Sequence, residues 1–420
     1  FDQSESHNIA LFAKEFSIYQ SLFCDHIRGE VVIEDALALT SMMPIIGEEQ
    51  INLDFRTPSL TPQSSRYAAC KIGGPVVKLE RMSFQNVQAA TYLLHFVSSS
   101  RISDLMRVVR DPFGPGQISE FVRKVAKDYL GIEGEKLVVE ETQGKHKFVI
   151  PSWSPSQTMR FFAREAISAG TKAGNYLWYA ALDGEEKHYF KTLDSLLAPN
   201  SDNDKAENTY YFTEQSLMKA PGQQDTTPDF AGPGEEFRAN PEEWRYIHHI
   251  DMRQNFDIEA AVQGGMFDNK VLWVDTLMQQ DEAVKVNPNG QKMPHFSYVK
   301  NFDQTKHLEP YKFSTMKDGE GRAPHTKGSG DSHIRFLHST PKQTWEKHQI
   351  TPRMRQDKLP FLISSFEQLA YIQYSLMVSG DTNRKPGDVI TIDMHSFGAT
   401  DDVLLKKHRY LKGKYLVTAV

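Results

Sequence analysis

The stretch SGDTNRKPGDVITIDMHSF, residues 379–397, holds two Gly-Asp pairs followed by an alternating run. Extended backbone would place the run on two faces, Val389, Thr391 and Asp393 on one and Ile390, Ile392 and Met394 on the other. The pattern predicts a charged turn that leads into a short, half-buried strand. It contains no nucleophile beside a base and no metal-ligand spacing, so we interpret it as scaffold.

The composition is that of an ordinary globular protein. The 420 residues are 39% hydrophobic and 24% charged, and this length favours two to four domains. The net charge of −6 is spread along the chain without a long basic block, which argues against duplex nucleic acid as the main partner. Two cysteines are too few for a disulfide framework and fit a reducing compartment. No apolar run approaches the ~18 residues of a membrane helix. The first residue is Phe rather than Met, so we expect the sequence to be trimmed.

Residues 1–112 have the pattern of several short strands. EEQINLDFRTPS (48–59) alternates apolar and polar residues, and GEVVIEDALALTSMMPIIGEE (29–49) contains two further strand candidates. YAACKIG (67–73) and AATYLLHFVSS (89–99) are additional short apolar runs. Close spacing of such strands predicts a small barrel or sandwich. RDPFGPGQ (110–117), with two prolines and two glycines, is interpreted as the boundary that follows.

Residues 113–200 change to a helical period. Apolar residues from Ile118 to Tyr129 predict one helix that stops at Gly131. Ser154 as N-cap and Gln157 at the third helical position predict a second helix with a capping box, ending by Gly170. NYLWYAALDG and KHYFKTL predict a strand pair around an Asp-Gly turn. This segment is predicted to be a small α+β domain.

The remaining chain is predicted to be discontinuous. Residues 201–243 are rich in turn-forming and polar residues and are interpreted as a linker or loop, in which residues 218–238 are predicted to be mobile or ordered by a partner. Residues 244–280 predict a strand or short helix, then a helix ending at Gly264, then another strand. Residues 281–359 are polar with little periodicity. FLISSFEQLAYIQYSLMVSGDT (361–382) is interpreted as renewed β structure, and GKYLVTAV as a closing strand.

No histidine pattern predicts a metal site. His248 and His249 are adjacent, so they point in different directions on a strand or a helix and rarely bind one ion together. Other histidines in polar segments lack the short spacings of a zinc site: His295, His307, His325, His333 and His338. We therefore expect no metal and no cofactor.

The candidate catalytic residues also have simpler interpretations. Cys24 precedes His26 by two residues, but such a pair on a strand does not align for proton transfer, so Cys24 is interpreted as a small buried apolar residue. KGSGDSH (327–333) contains Ser and His in a glycine-rich loop, and no G-x-S-x-G motif is present. Three carboxylate doublets are interpreted as turn residues: Glu48-Glu49, Glu185-Glu186 and Glu242-Glu243. VQGGMFDNK lacks the phosphate-loop spacing. We predict no catalytic residues and no enzymatic activity.

The order of these segments resembles the central hub of contractile-tailed phage baseplates, a fold shared with the N-terminal part of type VI secretion spike proteins. The similarity rests on GEVVIEDALALTSMMPIIGEEQINLDFRTPS, on FDIEAAVQGGMFDNKVLWVDTLMQQ (256–280), and on VSGDTNRKPGDVITIDM with LKGKYLVTAV. It implies an α+β fold with two small tail-tube-like antiparallel β-barrels, at 1–112 and at 244–280 with 360–420. The α+β domain spans 113–200, the linker 201–243, and an inserted peripheral domain 281–359. The family's last strand normally continues past the position of Val420.

The resemblance implies a structural protein of the virion tail, assembled in the host cytoplasm. Three copies would form a ring of six barrels between the six-fold tail tube above and the three-fold central spike below. Other baseplate proteins would bind at the periphery. DNA would pass through the channel only as transient cargo, without membrane insertion of the ring.

Three alternatives stay open at this point. A tail-associated cell-wall hydrolase would need an acid pair or metal cluster that the sequence does not display. An adhesion or carbohydrate-binding module would expose aromatic residues, yet the tryptophans fall mostly in periodic positions: Trp153, Trp178, Trp244, Trp273 and Trp345. A type VI or other injection-device spike would carry a β-helical needle after residue 420.

Overall fold

Eleven segments of the chain define the fold of the computed structural model. They are residues 8–35, 45–56, 69–86, 89–198, 208–212, 246–254, 257–264, 270–274, 334–338, 354–394 and 413–420. Strands and helices alternate irregularly among them, and most strand pairs are antiparallel. The chain therefore has the predicted mixed α+β character.

The N-terminal part forms one five-stranded antiparallel sheet in the order β1-β2-β5-β4-β3. Its strands are β1 (Ala13–Tyr19), β2 (Arg28–Asp35), β3 (Gln50–Phe55), β4 (Cys70–Asn86) and β5 (Ala89–Val97). Alternation in β2 places Val31 and Ile33 in the core. Phe16 of edge strand β1 and Phe55 of edge strand β3 have ring centroids only 5.1 Å apart, which shows that the sheet curls. The predicted strands that fall within the described segments are present. No hydrogen-bonded pairing within these segments joins β1 to β3, so barrel closure stays a prediction.

The next part combines four helices with short strands. They are α1 (Ser99–Met106), β6 (Pro112–Gly116), α2 (Ile118–Val125), β7 (Leu137–Val139), β8 (His146–Val149), α3 (Pro155–Glu165), β9 (Tyr176–Asp183), β10 (Glu185–Thr192) and α4 (Leu193–Leu197). Strands β7, β10 and β9 form one sheet, and β6 pairs with β8. Segment 110–117, interpreted as a boundary, thus contributes a strand. Prolines are tolerated in short strands at a sheet edge.

Local signals in this part were confirmed in detail. Helix α2 continues as a π-helical turn to Leu130 and stops at Gly131, whose φ of 72° suits glycine. The Ser154 hydroxyl accepts from the backbone of Gln157, which completes the capping box of α3. The β9–β10 hairpin turns at Gly184. Helix α3 ends at Glu165, earlier than Gly170.

The core of this part is formed by helices and sheet together. Phe113, Phe121 and Phe162 pack with ring centroids between 5.1 and 6.0 Å apart. They join buried aliphatic and aromatic side chains of α2, α3, β9 and β10. Ala180 and Leu182, also of β9, pack instead into the core of the first sheet. Strand β9 therefore connects the two cores.

The C-terminal part builds small sheets from distant segments. Its elements are β11 (Thr209–Phe212), β12 (Ile247–Gln254), α5 (Ile258–Gly264), β13 (Lys270–Val274), β14 (Ile334–His338), α6 (Met354–Tyr371), β15 (Gln373–Val378), β16 (Val389–Met394) and β17 (Gly413–Leu416). β11, β16 and β17 form one sheet, β12 pairs with β15, and β13 pairs with β14. Tyr210, Ile247, Ile390 and Ile392 are buried together. The predicted strand 389–394 and the closing strand are confirmed.

Two predictions for this part were wrong. Residues 361–371 belong to helix α6, not to a strand, and Ile363 on this helix is buried. Residues Thr209–Phe212, inside the segment interpreted as linker, form β11 and pair in parallel with β16. A short apolar run is compatible with either a helix or a strand. In both cases, packing against the rest of the chain determines which conformation forms.

The turn at 379–388 is a packed junction rather than a solvated one. Lys385 Nζ lies 3.0 Å from Asp183 Oδ1, and Arg384 Nε donates to the Tyr210 hydroxyl at 3.0 Å. The Cys70 thiol donates to the Thr382 carbonyl at 3.2 Å. Gly387 has φ +95°, and a Cβ there would lie 3.0 Å from the Tyr179 hydroxyl. These contacts fasten the predicted charged turn to β4, β9 and β11.

Several predictions lie outside the described residues. They concern the loop at 218–238, most of the inserted domain 281–359, and the second strand candidate in 36–44. The domain boundaries as a whole stay predictions. No helix in the described part of the chain is long and apolar enough to cross a membrane.

Candidate functional site

Three consecutive residues with reactive or metal-binding side chains, Cys24, Asp25 and His26, meet in the bend between β1 and β2. The bend is held between Leu22 and Ile27, which are 1% and 0% exposed and are buried in two different core clusters. Asp25 and His26 are buried, and Cys24 is half-buried. We call these three residues the CDH cluster.

His26 is the centre of the CDH cluster. Its Nδ1 lies 2.8 Å from Asp25 Oδ1 and 3.6 Å from Cys24 Sγ. On the other side of the ring, Arg28 Nε donates to His26 Nε2 at 3.0 Å. An arginine can only donate, so Nε2 is the acceptor and Nδ1 carries the proton. The Nδ1–H group therefore faces both the carboxylate and the sulfur.

The electrostatics of the CDH cluster favour anionic Cys24 and Asp25. The hydrogen bond with His26 lowers the pKa of the Cys24 thiol against the effect of burial. Burial raises the pKa of Asp25, but the hydrogen bond with His26, the nearby Ser156 side chain and the charge of Arg160 lower it well below its usual range. Burial lowers the pKa of His26, while the hydrogen bonds with Asp25 and Cys24 raise it and prevail. The donation from Arg28 to Nε2 opposes this shift, because it requires an unprotonated Nε2, so the ring is neutral with its proton on Nδ1.

The CDH cluster does not have the geometry of a catalytic thiol and base. A general base needs a free basic nitrogen facing the nucleophile. Here the nitrogen nearest to Sγ is Nδ1, which donates to Asp25, and Nε2 is occupied by Arg28. The interpretation of Cys24 as a buried apolar residue on a strand is nevertheless wrong, since it is half-buried in a bend and contacts His26.

A polar pocket lies between the first sheet, the start of α1 and the β9–β10 hairpin. Its volume is about 540 Å³, and its polar lining includes Asn52, Lys71, Ser100, Lys136, Glu186 and His188. The His188 side chain is 3% exposed, and its Nε2 has no hydrogen-bond partner. Burial lowers the pKa of His188 to about 4, so the ring is neutral at physiological pH. Burial also raises the pKa of Glu186, whose Oε1 lies 3.6 Å from that nitrogen.

The histidines considered from sequence do not converge where the structure describes them. His248 and His249 are both exposed on β12, and His248 Nε2 lies 2.9 Å from Ser379 Oγ. His338 ends β14. The other four polar-segment histidines and the whole KGSGDSH motif lie outside the described residues.

The carboxylate doublets are turn or strand residues where they are described. Glu49 accepts from the backbone of Ile46 and Gly47, and Glu185 begins β10. Glu186 is the one member that lines the pocket. Glu242 and Glu243 lie outside the described residues. Of the tryptophans, Trp178 is buried and Trp153 is partly buried against the second core.

The CDH cluster was missed because its backbone was assumed to be a strand. The signal in the sequence is the triplet itself, three donor-bearing residues between Leu22 and Ile27. Which way the triplet bends depends on where those two apolar side chains are buried. His188 and Glu186 carried no signal, since their pocket is formed by five segments that are separated in the sequence.

Comparison with known proteins gives only distant similarities. No protein-family model matches the sequence, and no curated protein matches it. Among solved structures, the chain is similar to a tail protein from Neisseria meningitidis MC58, with 8% identity, 96% of this chain and 85% of that chain covered, and a TM-score of 0.48.

Two further structures are similar to the chain. The 43 kDa tail protein of prophage MuSo2 from Shewanella oneidensis has 10% identity, 96% and 87% coverage, and a TM-score of 0.43. An E. coli component of the type VI secretion system, described as similar to the T4 bacteriophage tail proteins gp27 and gp5, has 8% identity, 48% and 49% coverage, and a TM-score of 0.30. These scores do not assign the chain to a family.

Proposed function

We propose that this chain is a structural protein of a contractile tail, and that it is the central hub of the baseplate. The observation that carries the proposal is the closing element of the fold. Strand β16 pairs antiparallel with β17, from Val389 opposite Leu416 to Ile392 opposite Gly413. This is the turn, strand and Gly-Lys-Tyr hairpin by which the sequence resembles the hub.

The arrangement of two β regions supports the same proposal. The first region is one curled antiparallel sheet from a continuous segment. The second region draws its strands from residues 209 to 416, and its last two strands, β16 and β17, pair with each other. A hub with one continuous and one discontinuous barrel requires this division of the chain.

Exposed apolar side chains along the first sheet support assembly. Leu11, Phe16, Tyr19 and Phe23 are 92%, 45%, 50% and 58% exposed. Exposed apolar side chains along an edge strand and the bend that follows it favour an interaction surface. We assign this group to the contact between copies, and call it the β1 patch.

The hub would be a homotrimer closed by a head-to-tail interface, which leaves no free interface at either end. Its upper face would bind the tail tube or a tube initiator and its lower face the central spike, with other baseplate proteins around it. DNA would pass through the channel during ejection. The protein would be part of the virion.

The test is the oligomeric state of the purified chain by native mass spectrometry. We expect a trimer at micromolar concentration, and we expect Phe23→Asp to yield a folded monomer because a charge in the β1 patch would be desolvated on assembly. Val149→Asp is the matched control, since Val149 is 75% exposed on β8, away from the patch. A wild-type chain that stays monomeric or dimeric, or equal effects of both variants, would contradict the proposal.

Two assays separate the hub from the alternatives. Clearing of a purified peptidoglycan suspension by the chain would indicate a cell-wall hydrolase. A reading frame that continues into a β-helical needle after residue 420 would indicate an injection-device spike. Neither result is expected of a phage hub.

A further inference from the structure

One oxygen of Asp25 lacks a hydrogen-bond partner in the interior. Its side chain is 3% exposed, and no hydrogen bond reaches Oδ2. Arg160 Nη2 lies 3.6 Å away on a side chain that is 63% exposed, so it offers at most a weak ion pair. A buried carboxylate oxygen without a partner is costly and indicates a missing donor or cation.

The neighbouring side chains of Cys24 and His26 are potential metal ligands, because each can release a proton to make room for a bound cation. Within the described part of the chain, the CDH cluster is the group of three residues whose donor atoms all lie within 4.8 Å of one another. A thiolate, an imidazole nitrogen and a carboxylate oxygen are the ligand set that zinc prefers. Two ligands of one tetrahedral zinc ion lie about 3.3–3.7 Å apart. The 3.6 Å between Cys24 Sγ and His26 Nδ1 already fits, and the 2.8 Å from Nδ1 to Asp25 Oδ1 would have to open.

We propose that Cys24, Asp25 and His26 bind one Zn²⁺ ion, through Sγ, a carboxylate oxygen and Nδ1, with water completing the tetrahedron. In the metal-free protein, the Nδ1 proton of His26 faces both the sulfur and the carboxylate. The ion would take the position of this proton. That proton and the thiol proton pass to solvent. The proposal is independent of the assembly role.

The ion would stabilise the bend rather than catalyse a reaction. The Cys24 carbonyl accepts a hydrogen bond from the backbone amide of Ala180 in β9 at 3.1 Å. The bend therefore already connects the first sheet to the β9–β10 hairpin. Zinc would fix the three side chains at this connection. Structural zinc contributes directly to folding free energy, because the unfolded chain has no preformed site.

Arg28 gives the proposal a distinctive consequence. With zinc on Nδ1, the Nε2 atom of His26 carries the proton, and Arg28 can no longer donate to it. Arg28 is exposed and free to turn into solvent, but its departure costs a hydrogen bond. Arg28→Ala should therefore bind zinc at least as tightly as the wild type, since it removes a competing donor and a positive charge.

The experiment uses the full chain, stripped of metal and then titrated with Zn²⁺ against a chromophoric chelator. We expect one tightly bound zinc per chain. Cobalt(II) in its place should give a thiolate-to-metal charge-transfer band in the near ultraviolet. Cys24→Ser should abolish the band and weaken zinc binding at least about tenfold, whereas Cys70→Ser should preserve both.

The wild-type measurement tests zinc binding without the risk that a variant fails to fold. Absence of the cobalt band in the wild type overturns the proposal without any variant. A band that survives in Cys24→Ser and is lost in Cys70→Ser also overturns it, as does weaker zinc binding in Arg28→Ala. If Cys24→Ser fails to fold, Asp25→Asn is used, and zinc affinity unchanged in that variant counts against the site.

Discussion

Ile392 is the residue on which the second β region depends most directly. It is 1% exposed and packs with Tyr210, Ile247 and Ile390. We predict that Ile392→Asp lowers the free energy of unfolding by at least about 3 kcal/mol, because a carboxylate would be buried without a partner. Met377→Asp is the control on a 63% exposed position of β15, with an expected change within about 0.5 kcal/mol. Urea denaturation of both variants measures the difference, and equal midpoints would contradict this core.

Single residues show what alternation can and cannot predict. The alternation placed Ile390 and Ile392 on the same face, and both are buried. It did not predict that Val389 and Asp393, on the other face, are buried as well. The burial of Val389 comes from leucines of α4 and α6 that pack in the same cluster, and no local pattern contains this information. The bend of the CDH cluster was missed for the same physical reason.

The turn at 379–388 gives a prediction at the scale of an element. Burial raises the pKa of Asp388 to about 6, with Asp183 and Asp381 adding to the effect and Lys385 opposing it. A raised carboxyl pKa favours the folded state below the unfolded value, near pH 4, and this contribution is lost as the pH rises through about 6. Asp388→Asn, which keeps an acceptor for the Lys385 amide, should therefore be more stable than the wild type at pH 7 by about 1–2 kcal/mol.

Chemical denaturation at pH 4.5 and pH 7 tests this prediction. The difference in unfolding free energy between Asp388→Asn and the wild type should be larger at pH 7 than at pH 4.5. Asp251→Asn, at an exposed position of β12, should show no such change. A difference that does not vary with pH would rule out a desolvated carboxylate in the turn.

Elements with local start and stop signals were predicted from sequence. The capping box of α3, the glycine stop after α2 and the Asp-Gly hairpin all depend on neighbouring residues. Helix α6 was misassigned because Pro360 and the apolar run after it favour a strand start. Its burial of Ile363, with Phe366 and Leu369 partly buried against two core clusters, stabilises the helix instead.

At the scale of the whole molecule, residues 418–420 form backbone hydrogen bonds with residues 20–22, directly after β1. Val420 donates to the Gln20 carbonyl at 3.0 Å and accepts from its amide at 2.8 Å. Leu22 donates to Thr418 at 2.9 Å, next to the CDH cluster. We predict that Val420→Pro, which removes one donor, lowers stability by about 1 kcal/mol and speeds amide hydrogen exchange at residues 20–22.

Ala419→Pro is the matched control for this junction. Ser21 and Ala419 face each other as an isolated bridge, and the three hydrogen bonds around them come from the residues on either side. The control should therefore change exchange at residues 20–22 less than Val420→Pro does. The same exchange rates in both variants would indicate that the pairing does not secure the N-terminal bend.

The thiol contact between Cys70 and Thr382 has a consequence for synthesis of the chain. The two residues are separated by 312 positions. At ribosomal rates of ~5–20 residues per second, β4 would wait on the order of 15–60 s before its partner turn exists. During this interval the Cys70 side of the nascent sheet is uncovered and exposed to association with other chains. Chaperone dependence during translation should therefore be greatest before the turn at 379–388 emerges.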